Sequence, residues 1–300
     1  MTKREFLLKR FNEMIDDYYA HQEEFHKAPA TSFMEPFKIA DGLYYVGDTR
    51  VCIHLIDTGD GLILLDSGFP ESQHLLIESI WRAGFNPKDV RWIIHTHGHY
   101  DHFGASEEFR RLYGTKLAIS RTDAEALREK PTRGHVNNEL YPYLTVPTFD
   151  YEIEDGEIFE HGNTKIRCVL TPGHTIGVLT FFFEVTYSGN TYLAGLLGGA
   201  GTRALTLPYQ CYNEDPEDVA YQMLAAIEKI WNEPVMIHLG NHPENNQTLP
   251  KREKQLEEGG NPFVDAQSWH DFLNDLKANI NRIIASNEAL EKELNERFSE

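Results

Sequence analysis

At 300 residues the chain lies near the upper size at which one hydrophobic core suffices, and its 41% apolar content fits a globular fold with short appendages. A formal net charge of −19 leaves no basic face to neutralise phosphates, which excludes sequence-independent binding of nucleic acid. The cysteines Cys52, Cys168 and Cys211 are odd in number and form no C-x-x-C pair, which excludes a disulfide framework and fits a reducing cytoplasm.

Residues 3–28 carry Phe6, Leu7, Phe11, Met14, Ile15, Tyr18 and Tyr19 at helical spacing, with charge on the other side, and predict an added N-terminal helix. Its start has no uninterrupted apolar core of the kind a signal peptide needs, and no apolar run in the chain approaches a membrane span; both point to a cytoplasmic protein. After a connector bounded by Pro29 and Pro36, residues 43–46, 51–56 and 61–65 read as strands, with Asp60-Gly61 as a hairpin turn. Pro70 opens a helix that Gly84 stops, and residues 91–95 form a buried strand. A helix over 105–113 ends at Gly114, a strand covers 116–119, and a helix covers 123–129. Residues 131–149, broken by Pro131, Gly134, Pro142 and Pro147, read as a long ordered loop of the kind that forms lids; Arg133, His135, Tyr141 and Tyr143 are its pocket-wall candidates.

The second half repeats the pattern, with strands at 151–153, 157–159, 165–170, 178–184, 191–197 and 235–239. Cys211 falls in a loop between Tyr209 and Tyr212, a helix runs from Pro216 to Trp231, and residues 251–260 read as a charged exposed loop. From Asp265 onward the chain is helical, with Trp269, Phe272, Leu273, Leu276 and Ile280 in its apolar stripe. Its charged end offers a surface to the N-terminal helix or to a second copy in a homo-oligomer. Strands alternating with helices imply an α/β sheet covered by helices. The expected division is a helical extension over 1–35, a body over 36–264 and a packing helix over 265–300.

The densest chemical signal is His97-Gly98-His99-Tyr100-Asp101-His102, which follows the strand and precedes a stretch of helix formers. In extended backbone, residues at i and i+2 point the same way, so two of these histidines can reach one ion while the next turn swings Asp101 and His102 toward a neighbouring one. His95, His97 and His99 all alternate, so spacing alone leaves open which pair binds. His174 stands on a tight turn after Pro172-Gly173. His238 alternates within an apolar strand and reads as structural, whereas His242 lies past the strand end beside Asn241 and Pro243. The remaining histidines lack ligand spacing. Imidazole and carboxylate donors suit zinc.

The segment Thr96-His97-Gly98-His99-Tyr100-Asp101-His102-Phe103-Gly104 resembles the T-H-x-H-x-D-H-x-G signature of the metallo-β-lactamase superfamily, and that register selects His97 and His99. Gly61-Leu62-Ile63-Leu64-Leu65-Asp66-Ser67-Gly68, Thr171-Pro172-Gly173-His174-Thr175 and Leu239-Gly240-Asn241-His242-Pro243 follow in the family's order. The chain is most similar to the β-lactamase subclass whose second metal is held by Asp, His and His. The resemblance implies an αββα sandwich, a first ion on His97, His99 and His174, a second on Asp101, His102 and His242, and Asp66 anchoring a ligand histidine from behind. One departure stands out: Tyr192-Leu193-Ala194-Gly195-Leu196-Leu197-Gly198-Gly199 offers no carboxylate where many relatives carry a metal-bridging aspartate. That argues against thioesterases of the glyoxalase II kind and homoserine-lactone lactonases, and implies a more weakly held second ion.

The resulting expectation is a dinuclear zinc hydrolase, β-lactamase-like, that attacks the carbonyl of a small amide or ester, β-lactam- or lactone-like, with a metal-bound hydroxide oriented by Asp101. Its partner is a small molecule, with neither membrane nor nucleic acid. Arg133, Tyr141 and Tyr143 are the substrate-pocket candidates. The alternatives are an iron-dependent redox enzyme of the same fold and a metal-binding protein with little catalysis. Flavodiiron members of the superfamily carry a glutamate at the place of His99, and sulfur dioxygenases keep the bridging aspartate, so both features count against iron.

Overall fold

A computed structural model describes residues 1–136 and 143–298. Helix α1 (Lys3–Lys27) leads into a sheet ordered β1 (Phe37–Ala40), β2 (Leu43–Tyr45), β3 (His54–Asp57), β4 (Leu62–Leu65), β5 (Val90–Ile94), β6 (Lys116–Ser120) and β7 (Tyr151–Ile153). Strands β1 to β4 pair antiparallel and β4 to β7 parallel. The second sheet has the order β12 (Val235–Leu239), β11 (Asn190–Leu197), β10 (Leu179–Tyr187), β9 (Thr164–Leu170) and β8 (Ile158–His161), antiparallel except for β11 with β12. Helices α2 (Gln73–Arg82), α3 (Tyr100–Phe103), α4 (Ser106–Tyr113) and α5 (Arg121–Glu129) lie among the strands of the first sheet in chain order. Helices α6 (Leu207–Asn213) and α7 (Val219–Ile230) lie between β11 and β12 of the second, and α8 (Thr248–Glu258) and α9 (Ser268–Arg297) follow β12.

Continuous apolar strands explain the layering, because a strand buried on both faces sends alternate side chains into different cores. Ile63 and Leu65 of β4 enter the core between the sheets with Phe181, Phe183 and Ile237, whereas Leu62 and Leu64 pack with Leu76, Ile80 and Phe109 from α2 and α4. On the other side Phe182 and Val235 meet Met223, Ile227, Trp269 and Leu273 of α7 and α9. This is an αββα sandwich with helices at both termini. Gly84 and Gly114 close their helices with positive φ, +91° and +73°, as a glycine stop requires.

Helix α1 packs along α6, with Phe11 stacked on Tyr212 at 3.8 Å between centroids. The charged end of α9 pairs with α1 through Lys3 with Glu291 and Phe6 with Phe298. Two segments correct the sequence reading. Residues 251–260, expected as a loop, belong mostly to α8, and Cys211 lies in α6; Lys, Arg, Glu, Gln and Leu are strong helix formers even without an apolar stripe, and Pro208 sits in the first turn of α6, where it is tolerated. No helix among the described residues is long and apolar enough to cross a membrane.

Candidate metal centre

The loops that carry the expected ligands leave the carboxyl ends of strands β5, β9 and β12, and the pairing directions bring those ends to the same edges of their sheets as the carboxyl ends of β4 and β11. His97 and His99 follow β5, and α3 begins at once, so its first turn carries Asp101 and His102 back toward them. His174 follows β9 and His242 follows β12.

Two clusters result, His97 with His99 and His174, and Asp101 with His102 and His242; within each, one ligand atom per residue lies within 4.8 Å of the others. His97 Nε2 is 3.1 Å from His99 Nδ1, which is 3.0 Å from His174 Nε2. The opposite nitrogens of the outer two are committed: His97 Nδ1 donates to Gly198 O at 2.7 Å and His174 Nδ1 to Gly201 O at 2.8 Å. Each neutral ring therefore turns a lone pair inward, and three inward nitrogens share at most one hydrogen. A cation fits that donor set, and the carbonyls behind it fix the tautomers as a metal site needs.

The second cluster is built in the same way. His102 Nδ1 donates to Asp66 Oδ2 at 2.7 Å and His242 Nδ1 to Arg50 O at 2.8 Å, so their Nε2 atoms face each other at 3.3 Å and face Asp101 Oδ2 at 3.4 and 3.6 Å. Asp66 is buried in left-handed backbone, φ +65°, and also accepts from Thr96 N and Thr96 Oγ1 at 2.7 Å each. A non-glycine residue held there marks a position overdetermined by its surroundings.

Electrostatics separates the clusters. Burial pushes His97 and His99 well below the usual imidazole range and His174 down to about 4, which keeps all three neutral and able to ligate. Burial also acts against a charge on His102, but the Asp101 and Asp66 carboxylates outweigh it and raise that ring to about 10. Asp101, despite its burial, is held far below the carboxylate range chiefly by His102 and then by His242. The pair thus balances a carboxylate with an imidazolium, and a divalent ion bound there would replace the proton on His102 Nε2.

A cavity of about 600 Å³ opens over both clusters and includes His99, Asp101, His174 and His242 in its lining. His135 reaches it, with its ring 4.6 Å from His99 and its Nε2 hydrogen-bonded to the Tyr209 hydroxyl. Arg133 does not: its Nε and Nη2 donate to Asn213 O at 3.0 Å and Glu214 O at 3.2 Å, and carbonyls of α6 and its cap hold it outside the cavity. Tyr143 stands 63% exposed and is also not in the lining, and Tyr141 lies outside the described residues. His95 is bound to Ala118 O and Ser106 Oγ, and His238 to Ser268 Oγ, so neither joins a cluster. Sequence reasoning missed Arg50, Tyr209, Arg203 and the α1 residues Ile15, Tyr18 and Phe25 in the cavity wall, because long-range packing brings them there.

The profile described as the metallo-beta-lactamase superfamily matches residues 46–186. An N-acyl homoserine lactonase of Bacillus thuringiensis is 26% identical over 168 residues, covering 48% of this chain; the match spans 62% of that relative's length. Among solved structures, the native metallo-beta-lactamase of Legionella gormanii superposes with a TM-score of 0.78 at 25% identity, over 86% of this chain and 98% of that one. A subclass B3 metallo-beta-lactamase of Bradyrhizobium japonicum superposes at 0.76 with 24% identity, over 87% and 97% of the two chains. Fold, ligand order and both kinds of likeness agree in placing residues 46–186 in the metallo-β-lactamase superfamily.

Proposed function

We propose that the chain is a metal-dependent hydrolase that cleaves a small amide or ester, cyclic ones included, with zinc held by His97, His99 and His174 and by Asp101, His102 and His242. The observation that carries this reading is the trio of imidazole nitrogens, turned inward at 3.0 and 3.1 Å by carbonyls behind them, beside the Asp-His-His cluster. When bound, zinc supplies Lewis-acid activation of a water and of a carbonyl, the former by lowering its pKa from 15.7 to about 7.

The remaining work belongs to the chain. Asp101 lines the cavity and its carboxylate accepts a hydrogen bond from the attacking water, aiming it at the acyl carbon. Hydrolysis then places OH on that carbon, breaks the bond to the leaving nitrogen or oxygen and returns a proton to the leaving atom. Asp66 and the carbonyls of Arg50, Gly198 and Gly201 keep the ligand rings from rotating. His135 and Tyr209 form a wall next to His99 against which the acyl part packs. The stretch from Tyr192 to Gly199, which offers no carboxylate, supports a reading nearer the lactamase branch than the lactonase relatives.

Metal analysis of protein purified without supplement tests the reading, together with a turnover panel of esters, lactones and lactams. Zinc approaching about two ions per chain is expected, with turnover that falls at least about a hundredfold in His97→Ala while circular dichroism is unchanged. Bound iron with oxygen consumption, a metal-loaded protein inert across the panel, or activity that survives in His97→Ala overturns it.

A further inference from the structure

The two ligand clusters have no side chain in common, and residues 192–199, which end beside His97, offer no carboxylate to span both. They are joined instead through a peptide carbonyl. Gly198 O accepts from His97 Nδ1 at 2.7 Å and from Asn241 Nδ2 at 2.7 Å, as many donors as the lone pairs of a carbonyl take. His97 belongs to the first cluster, and Asn241 is the residue before His242 of the second. Only the NH2 end of an amide can face a carbonyl, so that contact settles which way the Asn241 side chain points. The main chain around it is held as firmly. Asn241 O accepts from Cys52 N at 2.9 Å, in the same segment whose Arg50 O takes His242 Nδ1 at 2.8 Å, and Gly240 O takes His54 Nε2 at 2.9 Å. A shift of the Gly198 carbonyl is thus passed through one short side chain to the backbone that carries His242.

A second feature sets Asn241 apart from a residue kept for packing. It is 1% exposed, and its Oδ1 is buried with no hydrogen-bond partner among the described residues. Such an atom costs stability that an apolar side chain of similar shape would not. Gly198 O, for its part, would stay satisfied by His97 alone. The fold does not require the amide; what the amide adds is the tie between the clusters.

We propose that Asn241 is a positioning residue that couples the two metal sites, so that they fill together rather than one after the other. The inference rests on the reading of both clusters as metal sites and is independent of which bond is cleaved. Ordering the path from His97 through Gly198 to Asn241 is a cost met when the first ion binds and not met again for the second. That is positive coupling, and coupling between two binding sites is reciprocal.

Cadmium NMR, and zinc titration in competition with a chelator, test it on the full chain after its metal has been stripped. In the wild type at one equivalent of cadmium, the resonances of both sites are expected together, each at half its final intensity. In Asn241→Ala, one equivalent is expected to give a single resonance, with the other appearing only as more is added. The zinc affinity of the second step is expected to fall about tenfold or more, a size typical of coupling between sites. Asn241→Leu, which refills the space, is expected to behave in the same way, while its denaturant midpoint without metal stays close to that of the wild type. Sequential filling in the wild type, or joint filling that survives in both variants, overturns the coupling and leaves the metal centre standing. Separated steps accompanied in both variants by a marked loss of metal-free stability would show a structural role and overturn it as well. A wild type that takes up neither ion overturns the reading of the centre, and this inference with it.

Discussion

Asp123 joins two loops that the chain keeps far apart. Its Oδ2 accepts from Gly98 N at 2.8 Å, between the first pair of ligand histidines, and from Thr175 Oγ1 at 2.7 Å, next to His174. The carboxylate is 2% exposed, and a single group thus sets the approach of His174 to His97 and His99. Partners behind a ligand shell commonly govern metal affinity by 10–100-fold, so Asp123→Ala is expected to weaken zinc binding by about that factor in a chelator competition while the fold persists. Unchanged affinity would remove the positioning role. Asp123 is invisible in the sequence as a site residue, since nothing at the start of a helix distinguishes it from an ordinary N-terminal acid. The candidate clusters are legible because four donors within six positions are rare by accident, and the place of Arg50 and Arg203 in the cavity wall is not, because long-range packing sets it.

Strand and helix alternation is readable wherever apolar residues keep a period, which covers both sheets apart from the four-residue edge strand β1 and the helices α1, α2, α4, α5, α7 and α9. It fails for α8, whose charged residues carry helix propensity with no stripe, and for α6, whose short length gives no full period. The stripe of α9 carries weight: Trp269 is fully buried against Phe182 and His238. Trp269→Ala is expected to cost about 3–5 kcal/mol in denaturant unfolding. Helix α1 depends on fewer buried groups, chiefly Phe11 against Tyr209 and Tyr212. Phe11→Ala is expected to release the helix locally, seen as faster hydrogen exchange over residues 3–27 with little change in exchange across the sheets. Uniform loss of protection in both would contradict that separation.

Across the molecule, buried neutral histidines set the acid limit. Burial pushes His54 down to about 4 and His238 to about 3, against an ordinary value near 6.5 in the unfolded chain. Between about pH 6.5 and these values the unfolded state binds more protons than the native one, so stability is full above that window and falls as pH drops through it. Each ring contributes at most about 1.4 kcal/mol per pH unit, and His238→Asn is expected to flatten the profile by roughly that slope near pH 5 in denaturant titrations. An unaltered slope would mean that His238 is protonated in the native state. The two sheets also determine what can be varied in the centre. Because Gly198 O accepts from both His97 and Asn241, the grip on the first ligand is a peptide carbonyl, and no codon change can delete it. Nor can a larger residue enter there, since its Cβ would lie 2.3 Å from Leu179 O. Natural drift and laboratory evolution are therefore left with the outer wall of arginines and aromatic rings as the adjustable part, while the inner frame is heritable only as a whole.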